Sequence, residues 1–239
     1  MKQRLDQLVL ARGFAPTRSQ AESWIRLGEV TVNGQIVTKP GYFVDDTADV
    51  RMTAKEQYVS RAGLKLASVA ATFNADFADA IVLDVGSSTG GFTDYALRHG
   101  ARKVFAVDVG TDQLHPNLRG DERIELHEKT DIRDFVPSET PDIVVIDVSF
   151  ISLRQILPHV ASVSGPQTQI YAMVKPQFEA SKQQITSSGV IKNDSVRRTI
   201  LKDFENWAKG YFVIKGKADS HVKGARGNLE RFYLLQTIR

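Results

Sequence analysis

From residue 61 onward, short apolar runs alternate with helical stretches: IVLDV, KVFAVDV, IELHEK, DIVVIDV, QIYAMVKP, YFVIKGKA and RFYLLQTI. Runs this short and this continuously apolar read as strands buried on both faces, which requires helices packed above and below them. The pattern predicts an α/β fold around a mostly parallel sheet. No internal repeat or low-complexity tract interrupts it.

The first run leads into VLDVGSSTGGFTDYAL, residues 82–97, a strand, a glycine-rich turn and an amphipathic segment. Three kinds of nucleotide loop compete for it. A Walker loop needs a lysine after its last glycine. Gly86 and Gly91 have the spacing and Thr93 the hydroxyl, but Phe92 stands where the lysine belongs. A dinucleotide loop needs a middle glycine, where Ser88 stands, and Asp84 would lie poorly beside a pyrophosphate. The acid-x-Gly-x-x-x-Gly pattern of S-adenosylmethionine loops fits better. That ligand is cationic at its sulfonium and ammonium and carries no phosphate, so an acid at the strand tip complements it. Glycines let the backbone approach closely, at the strand ends where open α/β sheets bind ligands.

Asp108 ends the next run, 24 residues after Asp84, where an acid accepts bonds from both ribose hydroxyls. Asp131, in EKTDIRDF, follows the third run and is placed to face an adenine amino group. Singly, each acid also reads as a cap or turn residue. The candidate cofactor residues are Asp84, Gly86, Ser87, Ser88, Gly90, Gly91, Phe92, Asp108, Asp131 and Asp147.

The N-terminal stretch is organised differently. Leu5, Leu8 and Val9 mark a short helix, and Ala21, Trp24 and Ile25 mark a second. Thr17 with Gln20 forms a candidate capping box, and Gly28 suits a left-handed end. VTVNGQIV then reads as strand, Asn33-Gly34 turn, strand. The predicted order is helix, helix, small sheet.

Charge is uneven. Residues 1–44 hold 6 Lys/Arg against 3 Asp/Glu, residues 58–181 hold 11 against 16, and residues 182–239 hold 12 against 5. Basic ends suggest a polyanionic partner, although a solvated surface gives the same count.

The stretch RLDQLVLARGFAPTRSQAESWIRLGEVTVNGQIVTKPGYFV resembles an S4 RNA-binding module. In that family the second helix and the loop before it face folded RNA, and Arg12, Arg18, Arg26 and Lys39 match its cationic positions. Arg4 and Lys192 complete the candidate RNA contacts. Such cations meet phosphates and carry no sequence information by themselves.

VLDVGSSTGGFTDYAL, VIDVSFISL, MVKPQFE and GARGNLE together resemble the TlyA family, which joins an S4 module to an FtsJ-like methyltransferase domain. The resemblance covers nearly the whole chain. It implies a Rossmann-like class I SAM-dependent methyltransferase (α/β) with a small N-terminal α+β S4 domain. The expected boundaries are 1–55 for the S4 domain, 56–60 for a linker and 61–239 for the methyltransferase domain. It also implies 2′-O-methylation of a cytidine ribose in ribosomal RNA, with S-adenosyl-L-methionine as cofactor. The shorter members of the family, which this chain resembles in length, act on the large subunit (23S) only; 16S rRNA is the further candidate.

FtsJ-like enzymes use a Lys-Asp-Lys-Glu tetrad, and Lys65, Asp147, Lys175 and Glu230 match it. A ribose hydroxyl is a poor nucleophile and the methyl is already activated, so alignment and removal of a proton are the tasks left to the protein. Lys175 is the candidate general base, or a cation stabilising the forming oxyanion. Gln177, Phe178 and Lys192 are expected to line the RNA or methionine end. Taken alone, Lys65 lies one residue off an apolar helical face and reads as surface.

Other classes are bounded by composition. With no cysteine, disulfides, zinc-cysteine sites and thiol nucleophiles are excluded. The 5 histidines show no metal spacing, and no metal is expected. The N-terminus lacks a signal h-region and no run has the length of a membrane span. The expected address is the cytoplasm, the expected partner ribosomal RNA or a ribosomal subunit. No DNA, no stable membrane association and no obligate protein partner are expected. The alternatives are a non-catalytic S4-type RNA-binding protein, a base methyltransferase on the same fold, and a membrane-active hemolysin, a label historically attached to the family.

Overall fold

The computed structural model describes residues 2–15, 18–53, 58–181, 184–185, 189–191, 193–222, 224 and 227–238. The chain forms two compact units, Met1–Arg61 and Ala62–Arg239.

The first unit contains β1 (Lys2–Arg4), α1 (Leu5–Ala11), α2 (Arg18–Leu27), β2 (Val30–Val32), β3 (Gln35–Ile36), β4 (Phe43–Asp45) and β5 (Val50–Met52). Leu5, Leu8 and Val9 of α1 are buried, as are Ala21, Trp24 and Ile25 of α2, as their helical spacing requires. Gly28 ends α2 at φ +79°. Asn33 and Gly34 both take positive φ (51° and 79°), the requirement of a two-residue type I′ hairpin, and join β2 to β3.

The expected order, helix, helix, sheet, needs correction. A strand precedes the helices, and there are two small sheets: β1–β4, and β3–β2–β5, both antiparallel. Lys-Gln-Arg carries no apolar alternation, so β1 is specified by a distant partner, β4, rather than by its own sequence. Thr17, half of the proposed capping box, lies outside the described residues.

The second unit begins within α3 (Arg61–Phe73) and continues through β6 (Ile81–Val85), α4 (Gly91–Arg98), β7 (Lys103–Val107), β8 (Ile124–His127), β9 (Ile143–Ile146), α5 (Leu157–Val163), β10 (Gln169–Val174), α6 (Pro176–Glu179), α7 (Asp194–Ala208), β11 (Phe212–Asp219) and β12 (Arg231–Thr237). Its strands form one seven-stranded sheet in the order β11-β12-β10-β9-β6-β7-β8. All pairings are parallel except those of β12, which inserts antiparallel between β10 and β11. Every residue of β6 and of β9 is buried, which is why those runs are apolar without alternation.

This topology positions the site. The chain leaves β6 towards β7 and later returns to its other side as β9, so the strand order reverses between β6 and β9. At such a switch point the connections diverge and leave a crevice beyond the carboxyl ends. Asp84 and Gly86 lie at the end of β6, and Asp147 follows β9. No helix among the described residues is long and apolar enough to cross a membrane.

Candidate active site

The turn after β6 is fixed from several directions. Gly86 and Ser87 donate their amides to the Val107 carbonyl at 2.9 and 3.2 Å, holding the turn against the end of β7. Gly86 has φ +81°, and a Cβ there would lie 2.8 Å from the Asp147 carbonyl oxygen, so only glycine fits. Ser88 also has positive φ (48°), which explains why a glycine is favoured at this position. Its amide donates to Asp108 Oδ2 at 2.9 Å and its hydroxyl to Gln113 Oε1 at 3.0 Å. Gly90 precedes α4, whose first residues are Gly91 and Phe92, the latter a buried core side chain.

Asp84 is fully buried, and Thr93 of α4 donates its hydroxyl to Asp84 Oδ2 at 2.6 Å. Burial pushes its pKa up to about 7, against the Thr93 hydrogen bond, with Asp147 and Asp108 adding repulsion. The other oxygen, Oδ1, and the neighbouring Ser87 hydroxyl are buried with no hydrogen-bond partner among the described residues. Such orphaned groups are expensive unless a ligand supplies the missing contact.

Asp108 accepts from Gly110 N–H at 2.6 Å as well as from Ser88. Each carboxylate oxygen retains capacity for a second donor. Asp131 accepts from Arg133 through the backbone amide (2.9 Å), Nε (2.9 Å) and Nη2 (2.6 Å), which holds it down at about 2. It therefore caps the turn 132–134 while also lining the crevice.

A cavity of about 290 Å³ runs along these strand ends, bounded by Val107, Asp108, Asp131, Ile132, Asp147 and Phe150 among others. Among the described residues, three aspartates and no Lys or Arg line it. A smaller cavity of about 120 Å³ shares Gly86, Ser88, Asp147 and Ser149 with it and reaches Asp84, Ser87 and Lys175. An acid-lined crevice with orphaned buried oxygens suits a cationic, phosphate-free ligand and repels a pyrophosphate. The residues present fit S-adenosylmethionine.

The tetrad residues come together as two ion pairs. Lys175 follows β10, where Pro176 stops the strand and opens α6. Its Nζ lies 2.5 Å from Asp147 Oδ1 and donates to Ser149 Oγ at 2.8 Å. Lys65, on α3, is buried beside Leu66 rather than on the surface, and its Nζ lies 2.6 Å from Glu230 Oε2. A third cavity, about 440 Å³, is lined by Lys65, Lys175, Glu230, Gln177, Phe178 and Phe150 among others. Lys175 and Ser149 border both this cavity and the 120 Å³ one, so they stand between the acid-lined crevice and a second, larger chamber.

The candidate RNA-binding residues divide. Arg4 and Arg18 both bind Asp6, a carboxylate buried in α1 and held down at about 2 despite its burial. Arg12 donates to the carbonyls of Ala48 (2.8 Å) and Asp46 (2.6 Å). Arg26, 4.0 Å from Glu22, and Lys39 are exposed. Lys192 lies outside the described residues. Sequence reasoning missed Ser149, Gln113 and Glu179, whose roles depend on contacts between distant segments, and named Thr93 only as the hydroxyl of a rejected Walker loop rather than as the partner of Asp84.

Fold and site define the class: an α/β methyltransferase with ligand crevices at the sheet's switch point. Residues 58–237 match the FtsJ-like methyltransferase family and residues 3–50 match the S4 domain, so the chain belongs to the FtsJ-like methyltransferase family and carries an S4 domain at its N-terminal end. It is 42% identical over 238 residues to YqxC of Bacillus subtilis (strain 168), which bears a provisional rRNA-methyltransferase name (96% of this chain, 84% of that protein). It is 36% identical over 241 residues to the 16S/23S rRNA (cytidine-2′-O)-methyltransferase TlyA of Mycobacterium tuberculosis (98% of this chain, 90% of that protein). A solved structure from Streptococcus thermophilus, named as a hemolysin, superposes with a TM-score of 0.76 at 40% identity (99% of this chain, 88% of that one).

Proposed function

We propose that this protein methylates the 2′-hydroxyl of a cytidine ribose in ribosomal RNA, using S-adenosylmethionine. The observation that carries the reading is the Lys175–Asp147 pair, joined by Ser149 and set between an acid-lined crevice and a chamber holding a second buried ion pair. The similarity to the Mycobacterium tuberculosis TlyA supports 16S and 23S rRNA as the substrate class. The S4 domain, with Arg26 and Lys39 exposed, supports RNA binding, and cytoplasmic ribosomes are the setting.

When bound, the cofactor supplies a methyl group already activated by its sulfonium. Asp108 and Asp131 border the crevice where its ribose and adenine would be held, and Asp84 with Ser87 offers the anionic, unsatisfied end for its ammonium. The chain's remaining task concerns the acceptor oxygen. Lys175, paired with Asp147, is an ammonium with three N–H bonds, of which Asp147 and Ser149 take two directions. The third serves the oxygen as the methyl is transferred and the hydroxyl proton passes to bulk solvent, an electrostatic stabilisation of developing charge. To act as a base instead, Lys175 must be the neutral amine when the acceptor binds, and the hydroxyl proton then passes to its nitrogen. Lys65 and Glu230 form the facing wall and hold a fixed dipole there without net charge.

Incubation of the purified chain with tritiated cofactor and ribosomal RNA tests the reading. Label appears in RNA with the wild-type chain and not with Lys175→Ala. Equal labelling by both, or none with the wild type on naked RNA and on ribosomal subunits, contradicts it.

A further inference from the structure

Glu179 ends α6, four residues beyond Lys175, and its side chain is 1% exposed. Its carboxylate reaches across to the segment that follows β9. Oε2 accepts from the Ser152 hydroxyl and Oε1 from the Leu153 amide, both at 2.7 Å, and Arg154 Nε lies 3.5 Å away. The segment from Asp147 to Leu153 is thus tied to the segment from Lys175 to Glu179 at both ends, at one through the bonds of Lys175 to Asp147 and Ser149 and at the other through Glu179.

Between the two ties sits Phe150, with φ +66° and 90% exposure. A left-handed aromatic residue without burial gains nothing locally from that conformation. It persists only where the flanking structure over-determines it. Its ring meets Phe178 of α6 at 5.3 Å, on the same two segments. Burial raises the Glu179 carboxyl, and the Ser152 and Leu153 donors and Arg154 offset that cost.

We propose that Glu179 is the positioning residue of the reaction centre: by binding Ser152 and Leu153 it sets the spacing between the strand-end segments that carry Asp147 and Lys175. The inference rests on the methyltransferase reading above, and it makes a claim about Glu179 that the reading does not require. Removing the carboxylate strands the Ser152 hydroxyl and the Leu153 amide and lets the segment relax at Phe150. Ser149 and Asp147 then shift relative to Lys175. Asp147, Ser149 and Phe150 also line the crevice and the chamber, so KM moves slightly, while the larger loss falls on the chemical step.

The test uses the full chain with Glu179→Ala, Glu179→Gln and Ser152→Ala, followed by two readouts. The first is kcat and KM for ribosomal RNA from methyl transfer. Glu179→Ala lowers kcat about 10–100-fold, the cost of a displacement near 1 Å, with KM within about threefold. Glu179→Gln, whose amide accepts from Leu153 and donates to Ser152, recovers kcat to within about fivefold. The second readout is hydrogen exchange of amides 149–153, which needs no activity. Exchange rises at least about tenfold in Glu179→Ala and stays near wild type in Glu179→Gln. Where the alanine variant does not fold, Ser152→Ala lowers kcat about 2–10-fold by removing one of the two hydrogen bonds to Glu179, together with the bond that Ser152 Oγ accepts from the Arg154 amide. Unchanged kcat in a folded alanine or serine variant overturns the proposal, as does a loss confined to KM, unchanged exchange, or a glutamine variant as impaired as alanine. A wild-type chain that transfers no label contradicts the methyltransferase reading, while the exchange data still decide the role of Glu179.

Discussion

The Lys65 ammonium lies 2.6 Å from Glu230 Oε2, with the two side chains only 10% and 3% exposed. A helix near the start of the second unit and the segment entering its last strand therefore share one buried ion pair. Each charge depends on the other for compensation.

Breaking that pair is costly in a way that deleting it is not. Lys65→Met leaves Glu230 buried and unpaired, and destabilises the fold by about 3–5 kcal/mol. The double variant Lys65→Met with Glu230→Leu regains most of that stability but stays inactive. Urea unfolding of the two single variants and the double variant measures the coupling. Additive losses would show that the pair does not act as a unit.

Lys175 separates two chemical roles. Lys175→Ala lowers methyl transfer by about 10²–10⁴-fold and changes cofactor affinity by less than about tenfold, since Asp108, Asp131 and the Gly86 turn of the larger crevice are left in place and Lys175 borders only the smaller cavity. Lys175→Arg keeps a cation that does not deprotonate. Retention of partial activity in the arginine variant assigns Lys175 the part of a cation. Activity as low as in the alanine variant assigns it the part of a base.

Asp84 gives a pH signature. Its pKa in the fold is near 7, raised from 3.8 chiefly by burial. Between those values the folded state holds a proton that the unfolded chain has lost. Its contribution to stability is complete below the unfolded pKa and declines as pH rises towards 7. Asp84→Asn lacks this dependence, so its Tm rises relative to wild type from pH 5 to pH 8, by about 2–4 °C for each kcal/mol. The same variant weakens cofactor binding about 10–100-fold, because the anion facing the ligand's ammonium is gone. Cofactor binding to the wild type near pH 6 releases a proton, seen as a dependence of the calorimetric enthalpy on buffer. No buffer dependence would contradict this account of Asp84.

In the first unit the arginines are predicted to differ. Arg12→Ala removes donors to two backbone carbonyls and costs about 1–3 kcal/mol of stability. Arg26→Ala and Lys39→Ala leave stability within about 0.5 kcal/mol and each lower the salt dependence of RNA binding by about one unit of log–log slope. Thermal unfolding and titration of RNA at several salt concentrations separate the two groups.

These differences mark what was legible. The sheet, the glycine turn and the hairpin at Asn33-Gly34 follow from local signals: continuous apolar runs, positive-φ residues and period. The tetrad residue types were visible through family likeness, but their pairing was not. Lys65 has the helical position of a surface residue, and its burial depends on Glu230, folded against it from the far end of the unit. Arg12 looks like a phosphate ligand until the carbonyls of Asp46 and Ala48 are placed beside it. β1 has no pattern of its own, and Glu179 looks like any acid at the end of a short helix. Each of these depends on a partner distant in sequence, which periodicity and spacing do not encode.

In the proposed reaction the methyl group goes to a ribose oxygen of ribosomal RNA. Nucleoside mass spectrometry of ribosomal RNA treated with the purified chain and isotopically labelled cofactor measures that most directly. The expected product carries a labelled methyl on cytidine that stays with the sugar when the base is cleaved off. A label that leaves with the base, or a labelled nucleoside other than cytidine, would contradict it.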